Sequence, residues 1–189
     1  MRTLRLSLVG TVILVLLGGL GSAVVAQTDE VSGATPTTPA FYACVTPDTG
    51  VIYDRGSYSE TDEGYQLRGM SGPFESEASD PRVSGPGTWV QSQDVYGDAD
   101  MGPRWGSSRQ ENEGGGWYGT YLGAMVPTAA GGSIYVVVGQ YQGTGGYEGL
   151  SQIDITTYPD GPGTTGVCQG VIYEGSLPSL EFVEPPPIE

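Results

Sequence analysis

Glycine and proline interrupt this chain so often that no window keeps apolar residues at helical spacing for three turns. With 32 glycines and 14 prolines in 189 residues, a helix has no room to form, since an interior glycine costs roughly 1 kcal/mol and an interior proline roughly 3 relative to alanine. Between the breaks stand short runs rich in aromatic and β-branched residues, which suit extended backbone. The folded part therefore reads as all-β. Strands are expected at Phe41–Thr46, Val51–Tyr53, Tyr65–Met70, Phe74–Ala78, Thr88–Gln93, Arg104–Gln110, Gly116–Val126, Ser133–Gln142, Tyr147–Thr157 and Val167–Glu174. Turn residues separate them, as at Pro47-Asp48-Thr49-Gly50, Gly97-Asp98, Gly131-Gly132 and Pro159-Asp160-Gly161. Short strands at this spacing make a barrel or a sandwich.

An internal echo favours the barrel. Gly116-Trp117-Tyr118-Gly119 returns as Gly146-Tyr147-Glu148-Gly149. In a strand Trp117, Gly119, Tyr121 and Gly123 share one face while Tyr118, Thr120 and Leu122 take the other. A ring from a neighbouring strand can lie over each bare glycine, which fills the tapered interior of a small closed barrel; in a flat sandwich the same glycines leave voids. A single antiparallel β-barrel of about eight strands over residues 41–175 is the expectation, and a β-sandwich is the alternative. Cys44 and Cys168 lie near the ends of that region, so one disulfide joining the first and last strands is expected, closing the meander.

The ends of the chain have their own character. Arg2 and Arg5 precede an apolar run from Leu6 to Leu20, and Ala26 with Val24 two places earlier suits a signal peptidase. Residues 1–26 thus read as a secretory signal peptide, with an uncleaved anchor as the competing reading because 21 residues can cross a bilayer. Residues 27–40, QTDEVSGATPTTPA, form a polar linker expected to be disordered, and residues 176–189 form an acidic tail ending in Pro185-Pro186-Pro187. The expected location is secreted and extracellular, or cell-surface if the apolar segment is retained.

Charge and missing residue types exclude much chemistry. Without its first 26 residues the chain keeps five arginines against 22 carboxylates, a net charge of −17, so nucleic acid and, after cleavage, membrane surfaces are excluded as partners. Histidine and lysine are absent altogether. Imidazole relays, Schiff bases and the common zinc sites all need one or the other, or more thiolates than two. No cofactor and no metal is expected, and any catalysis would fall to carboxylates, tyrosine or arginine.

Several motifs taken in order carry a resemblance: Ser79-Asp80-Pro81-Arg82-Val83-Ser84-Gly85, Trp105-Gly106, Glu111-Asn112-Glu113-Gly114-Gly115-Gly116-Trp117-Tyr118-Gly119, Gly143-Thr144-Gly145-Gly146-Tyr147-Glu148-Gly149-Leu150 and Gly170-Val171-Ile172-Tyr173-Glu174-Gly175. Over roughly Tyr65 to Gly175 the chain resembles a group of secreted bacterial β-barrel proteins without an assigned activity. More remotely, Gly143 to Gly149 resembles a strand of the allene oxide cyclase and dirigent barrels. That second likeness implies an eight-stranded antiparallel barrel with an apolar cavity, and brings over no active-site residue.

Four residues are the candidate ligand site: Trp89, Trp105, Arg109 and Trp117, on consecutive expected strands, with Trp105 and Arg109 on one face. Were that face inward, Arg109 would need a carboxylate or an anionic ligand; were it outward, the tryptophans would be ordinary packing. Asp94, Asp98 and Asp100 offer oxygens in a glycine-containing loop, yet lack EF-hand spacing and read as a solvated acidic turn. Glu75 with Glu77, and Glu111 with Glu113, are same-face pairs of the kind glycosidases use, read here as solubilising surface. The favoured function is an exported structural or small-ligand-binding barrel, with no catalytic residue and leaning away from an enzyme. The alternatives are a cyclase- or isomerase-like barrel acting on an apolar substrate, and a carbohydrate-binding surface module. An open cavity holding an ionisable group of shifted pKa would favour the enzyme; an interior filled by the barrel's own side chains would favour a structural role.

Overall fold

The computed structural model describes residues 39–47, 49–97, 101–129 and 132–177. The expected signal peptide, nearly all of the expected linker and the tail beyond Leu177 lie outside the described residues. The described chain forms β1 (Ala40–Thr46), β2 (Ser57–Thr61), β3 (Gly64–Ala78), a turn of 3₁₀ helix (Pro81–Val83), β4 (Gly85–Tyr96), β5 (Pro103–Asn112), β6 (Gly115–Pro127), β7 (Ser133–Gly145), β8 (Leu150–Tyr158) and β9 (Gly166–Glu174). It is all-β, one antiparallel sheet in the order β1-β9-β8-β7-β6-β5-β4-β3-β2, with an additional β1–β3 pairing that closes eight of the strands into a ring.

The ring is uneven. Strands β6 and β7 pair over their whole length, Gly115↔Gly145 to Pro127↔Ser133, whereas β1 meets β3 only at Cys44↔Ala78 and Val45↔Glu77. Beyond that contact the chain leaves β3, touching it where the Thr49 hydroxyl donates to the Pro73 carbonyl at 3.3 Å and where Asp54 bridges to Ser71. It rejoins as β2 along Gly64–Arg68. Segment β1-to-β2 thus follows one edge of β3, as irregular chain rather than strand over residues 49–56.

Rings over glycines account for closure. Trp89 and Gly72 are directly opposed, as are Phe74 and Gly87, Tyr121 and Gly106, Tyr141 and Gly119, and Tyr42 and Gly170. At each of these glycines an added Cβ would lie between 2.3 and 2.9 Å from atoms of the opposed ring. Such separations are far inside van der Waals contact, so each ring occupies the volume that a side chain would fill. Cross-strand pairs of this kind are the unit of sheet stability.

The interior packs in two clusters. At one end Tyr42, Cys44, Val83, Trp117, Tyr147, Cys168 and Ile172 pack together, with Trp117 stacked on Tyr147 at 5.5 Å. The 3₁₀ turn plugs this end: the Trp117 indole N–H donates to the Arg82 carbonyl at 2.8 Å, Gln110 Nε2 to the Val83 carbonyl at 2.6 Å, and the Tyr147 hydroxyl to Asn112 Oδ1 at 2.6 Å. Its own start is capped by Asp80, which accepts from the Arg82 amide at 3.0 Å and pairs with the Arg82 guanidinium. At the other end Met125, Tyr135 and Val137 pack with Met101, Tyr121 and Tyr158. The expected disulfide pair is in place, Cys44 directly opposite Cys168 across β1 and β9; it closes a loop with a sequence separation of 124.

Several expectations are corrected. The two strands expected at Tyr65–Met70 and Phe74–Ala78 are one, β3, bent by a register shift between Leu67 and Met70. Gly69 sits in that shift with φ of +73°, a left-handed conformation that glycine adopts without steric cost. Val51–Tyr53 is not a strand, and β2 stands instead at Ser57–Thr61. Residues Gly146 to Gly149 are a turn, and β8 begins at Leu150. The echo therefore marks two rings that stack on each other rather than two equivalent strands.

Candidate functional site

Between the two packed ends lies a partly enclosed cavity of about 450 Å³. Irregular chain lines part of it, residues 49–52 between β1 and β2 and residues 162–164 after β8. Apolar and aromatic walls come from Phe74, Trp89, Trp117, Tyr121 and Tyr135, and polar groups come from several strands, among them Gln91 of β4, Ser108 and Gln110 of β5, and Gln152 and Asp154 of β8. A mostly apolar concavity of this size with converging polar groups is the usual make-up of a small-molecule site.

Asp154 is the chemical centre. It lies on β8 directly opposite Gly139 of β7 and Gly170 of β9, and a tyrosine ring lies over each of those bare positions: Tyr141 over Gly139, Tyr42 over Gly170. Because Gly170 has no side chain, the Tyr42 hydroxyl reaches across β9 and donates to Asp154 Oδ2 at 3.4 Å. Gln152 Nε2 donates to the Tyr42 oxygen at 2.7 Å and to Asp154 Oδ2 at 3.2 Å. Burial pushes the Asp154 carboxyl up to about 6, although bonds from Gln152, Tyr42 and the Gly139 backbone pull it back. Burial, and next the nearby Asp154 charge, hold the Tyr42 phenol well above its ordinary range, and burial does the same to Tyr141. Neighbouring Tyr158 is pushed up to about 12 by burial and by Asp154. These phenols stay neutral donors across the physiological range, and the carboxyl titrates close to it.

Gln152 adds a second feature. It lines the cavity; its Nε2 is engaged twice while its buried Oε1 has no hydrogen-bond partner. A buried acceptor without a donor costs on the order of 1–3 kcal/mol.

The four residues expected as a ligand site do not gather. Trp89 and Trp117 do line the cavity, each tied down by its indole N–H, to the Pro73 carbonyl at 3.2 Å and to the Arg82 carbonyl. Trp105 and Arg109 point outward instead: Trp105 is 36% exposed beneath the Arg68 guanidinium at 4.9 Å, and Arg109 pairs with Glu111 on the surface. Alternation on β5 is the reason, because Arg104, Ser108 and Gln110 take the inner face. The interior cation is thus Arg104, which donates to Gln93 Oε1 at 2.5 Å and faces the Tyr135 ring at 5.2 Å. Glu75, Glu77, Glu111 and Glu113 are all exposed. In the acidic loop, Asp94 pairs with Arg68 at 2.5 Å, and residues 98–100 lie outside the described residues.

No family model, curated protein or solved structure matches this chain. The glycine-rich segments 79–85, 111–119 and 143–150 meet at the plugged end, where Arg82, Val83, Asn112, Trp117 and Tyr147 join. Among the described residues no helix is long and apolar enough to cross a membrane.

Proposed function

We propose that this chain is an exported β-barrel that binds a small, uncharged, largely apolar molecule carrying at least one hydrogen-bond donor. One observation supports the reading above the others: a cavity of about 450 Å³ stands inside the ring, lined among others by Gln152, whose Oε1 has no hydrogen-bond partner. A barrel serving by shape alone would fill this volume with its own side chains. Anions are disfavoured because the polar wall carries Asp154 and the whole chain is at −15. Export agrees with the paired cysteines, since disulfides persist in oxidising compartments.

The test is native mass spectrometry of the protein recovered from its own culture medium, with 1-naphthol as a probe for protein that arrives empty. A retained small molecule, or binding of the probe, is expected; both should be lost in Thr156→Trp, which fills the cavity from β8. Absence of any adduct together with no probe binding overturns the reading.

An enzymatic reading is favoured by Asp154 alone, a carboxyl brought to about 6 beside a phenol inside the cavity. Such a pair can move a proton to or from a bound substrate near neutral pH. It predicts turnover of the retained molecule with a pH profile that inflects near 6 and vanishes in Asp154→Asn. The surface-carbohydrate reading gains no support from the outer aromatics, because none of Phe41, Tyr58, Tyr96, Trp105 and Tyr118 is opposite another across paired strands.

A further inference from the structure

Strand β8 carries its side chains in the opposite sense from a strand of a water-soluble monomer. Gln152, Asp154 and Thr156 are buried, while Ile153 and Ile155 face outward, Ile155 being 53% exposed. The neighbouring strands continue this outer apolar surface in register. Leu122 of β6 is directly opposite Val138 of β7, and Val138 opposite Ile155. A second row runs from Ile153 to Val171 of β9 and on to Phe41 of β1, which is 82% exposed.

This surface carries no charge. Strands β6, β7, β8, β9 and β1 contain two ionisable acids or bases of the Asp, Glu and Arg type, Asp154 inside the cavity and Glu174 at the last position of β9. The remaining strands show the reverse, with Glu75 and Glu77 outward on β3, Asp94 on β4, and Arg109 and Glu111 on β5. Outward charge is thus confined to one side of the ring. Packing inside the barrel does not demand this, because an outward lysine or glutamate on β7 or β8 would touch no interior atom.

We propose that the charge-free outer face of β6-β7-β8-β9-β1 is where a second copy of this chain packs. Two copies at −15 each repel wherever acids face acids, and this face is the side on which they meet without bringing like charges together. Its size allows the task. Two convex rings meet over about three of these strands, about 4.8 Å apart with about nine paired residues each, a footprint of about 400 Å² before side-chain relief. That lies in the range of the largest apolar patches that monomers leave to water and, with side-chain relief, at the low end of specific interfaces. Rows such as Leu122–Val138–Ile155 present aliphatic ridges that interdigitate with their own kind, as sheet faces do. Trp105, opposite Leu122 and covered by Arg68, marks the rim, where aromatic and arginine groups concentrate in interfaces.

Sedimentation velocity on the purified chain tests the proposal, run in parallel on a sample lacking residues 1–26 so that the apolar Leu6–Leu20 stretch cannot itself drive association. A dimer or larger closed assembly at ~10 µM is expected in both samples, a micromolar or tighter constant. The double variant Leu122→Glu/Val138→Glu should raise the dissociation constant at least 100-fold with circular dichroism unchanged. Thr88→Glu, on the charged side, should assemble as the parent does. Should the double variant not fold, Ile155→Ser carries the test, with at least a fivefold rise expected. A monomer at ~100 µM, alone or bound to phosphatidylcholine vesicles, overturns the proposal, as does an assembly indifferent to Leu122→Glu/Val138→Glu or, in its place, to Ile155→Ser.

Discussion

Replacing Asp154 with Asn should stabilise this protein at neutral pH and leave it unchanged in acid. Asn keeps an oxygen to accept from Gln152 and Tyr42, and stays neutral at every pH. In the folded state the carboxyl is raised from 3.8 to about 6, chiefly by burial, so ionising it in place costs about 3 kcal/mol more than in the unfolded chain. The sign follows from proton binding: between pH 4 and 6 the folded state holds the proton that the unfolded state has released, so stability falls as pH rises through that window. Below about pH 4 both states are protonated and the full contribution is present; above about pH 6.5 it is gone. Urea unfolding of both proteins from pH 4 to 7.5 reads the difference directly. The Asn variant should gain steadily on the parent across the window, reaching about 2–3 kcal/mol at pH 7. Parallel curves over the whole range would refute the reasoning, because they would mean that Asp154 ionises as easily inside the barrel as in water.

Two other expectations concern the frame. Intact mass should lie 2 Da below the reduced value, and Cys44→Ser with Cys168→Ser should lower stability by roughly 4 to 5 kcal/mol for so long a loop; two alkylatable thiols in the native protein would refute the link. Gly119→Val should destabilise by roughly 3 kcal/mol or more, since its Cβ would meet the Gln140 carbonyl oxygen at 2.0 Å and the Tyr141 ring at 2.6 Å. Gly149→Ala, in open space at φ of +84°, should cost only roughly 1–2 kcal/mol of backbone strain, and equal melting losses for the two would remove the distinction between packing and strain.

The alternation of rings and glycines made the ring of strands legible in the sequence, because each glycine marks a place where a side chain from elsewhere must lie. It also misled at Gly146 to Gly149, where the same letters make a turn: glycine serves both uses, and spacing alone does not separate them. Strand β2, Ser57-Tyr58-Ser59-Glu60-Thr61, is fully exposed and held by backbone pairing with β3, so it left no apolar trace. Whether the interior is open or filled was left undecided by the sequence; Trp89 and Trp117 were named and do line the cavity, while its polar centre was missed. Asp154 was not singled out, because nothing local says which way its strand faces. What decides it is long-range: Gly139 and Gly170, opposite Asp154, face inward beneath their tyrosines and fix the parity of β8. The signal present in the sequence was the run of strands after Arg109 with almost no charge to spend on an outer surface.

Strand β1 is the keystone of the ring, and its two flanks are unequally made. Toward β9 it has seven opposed residues from Ala40↔Ile172 to Thr46↔Gly166 and a covalent link; toward β3 it has two opposed residues and then a departing chain. Oxidation therefore reinforces the flank that is already strong and leaves the other to yield. Of the two seams, the one toward β3 is the first expected to part under load, and its amides should exchange with solvent before those facing β9.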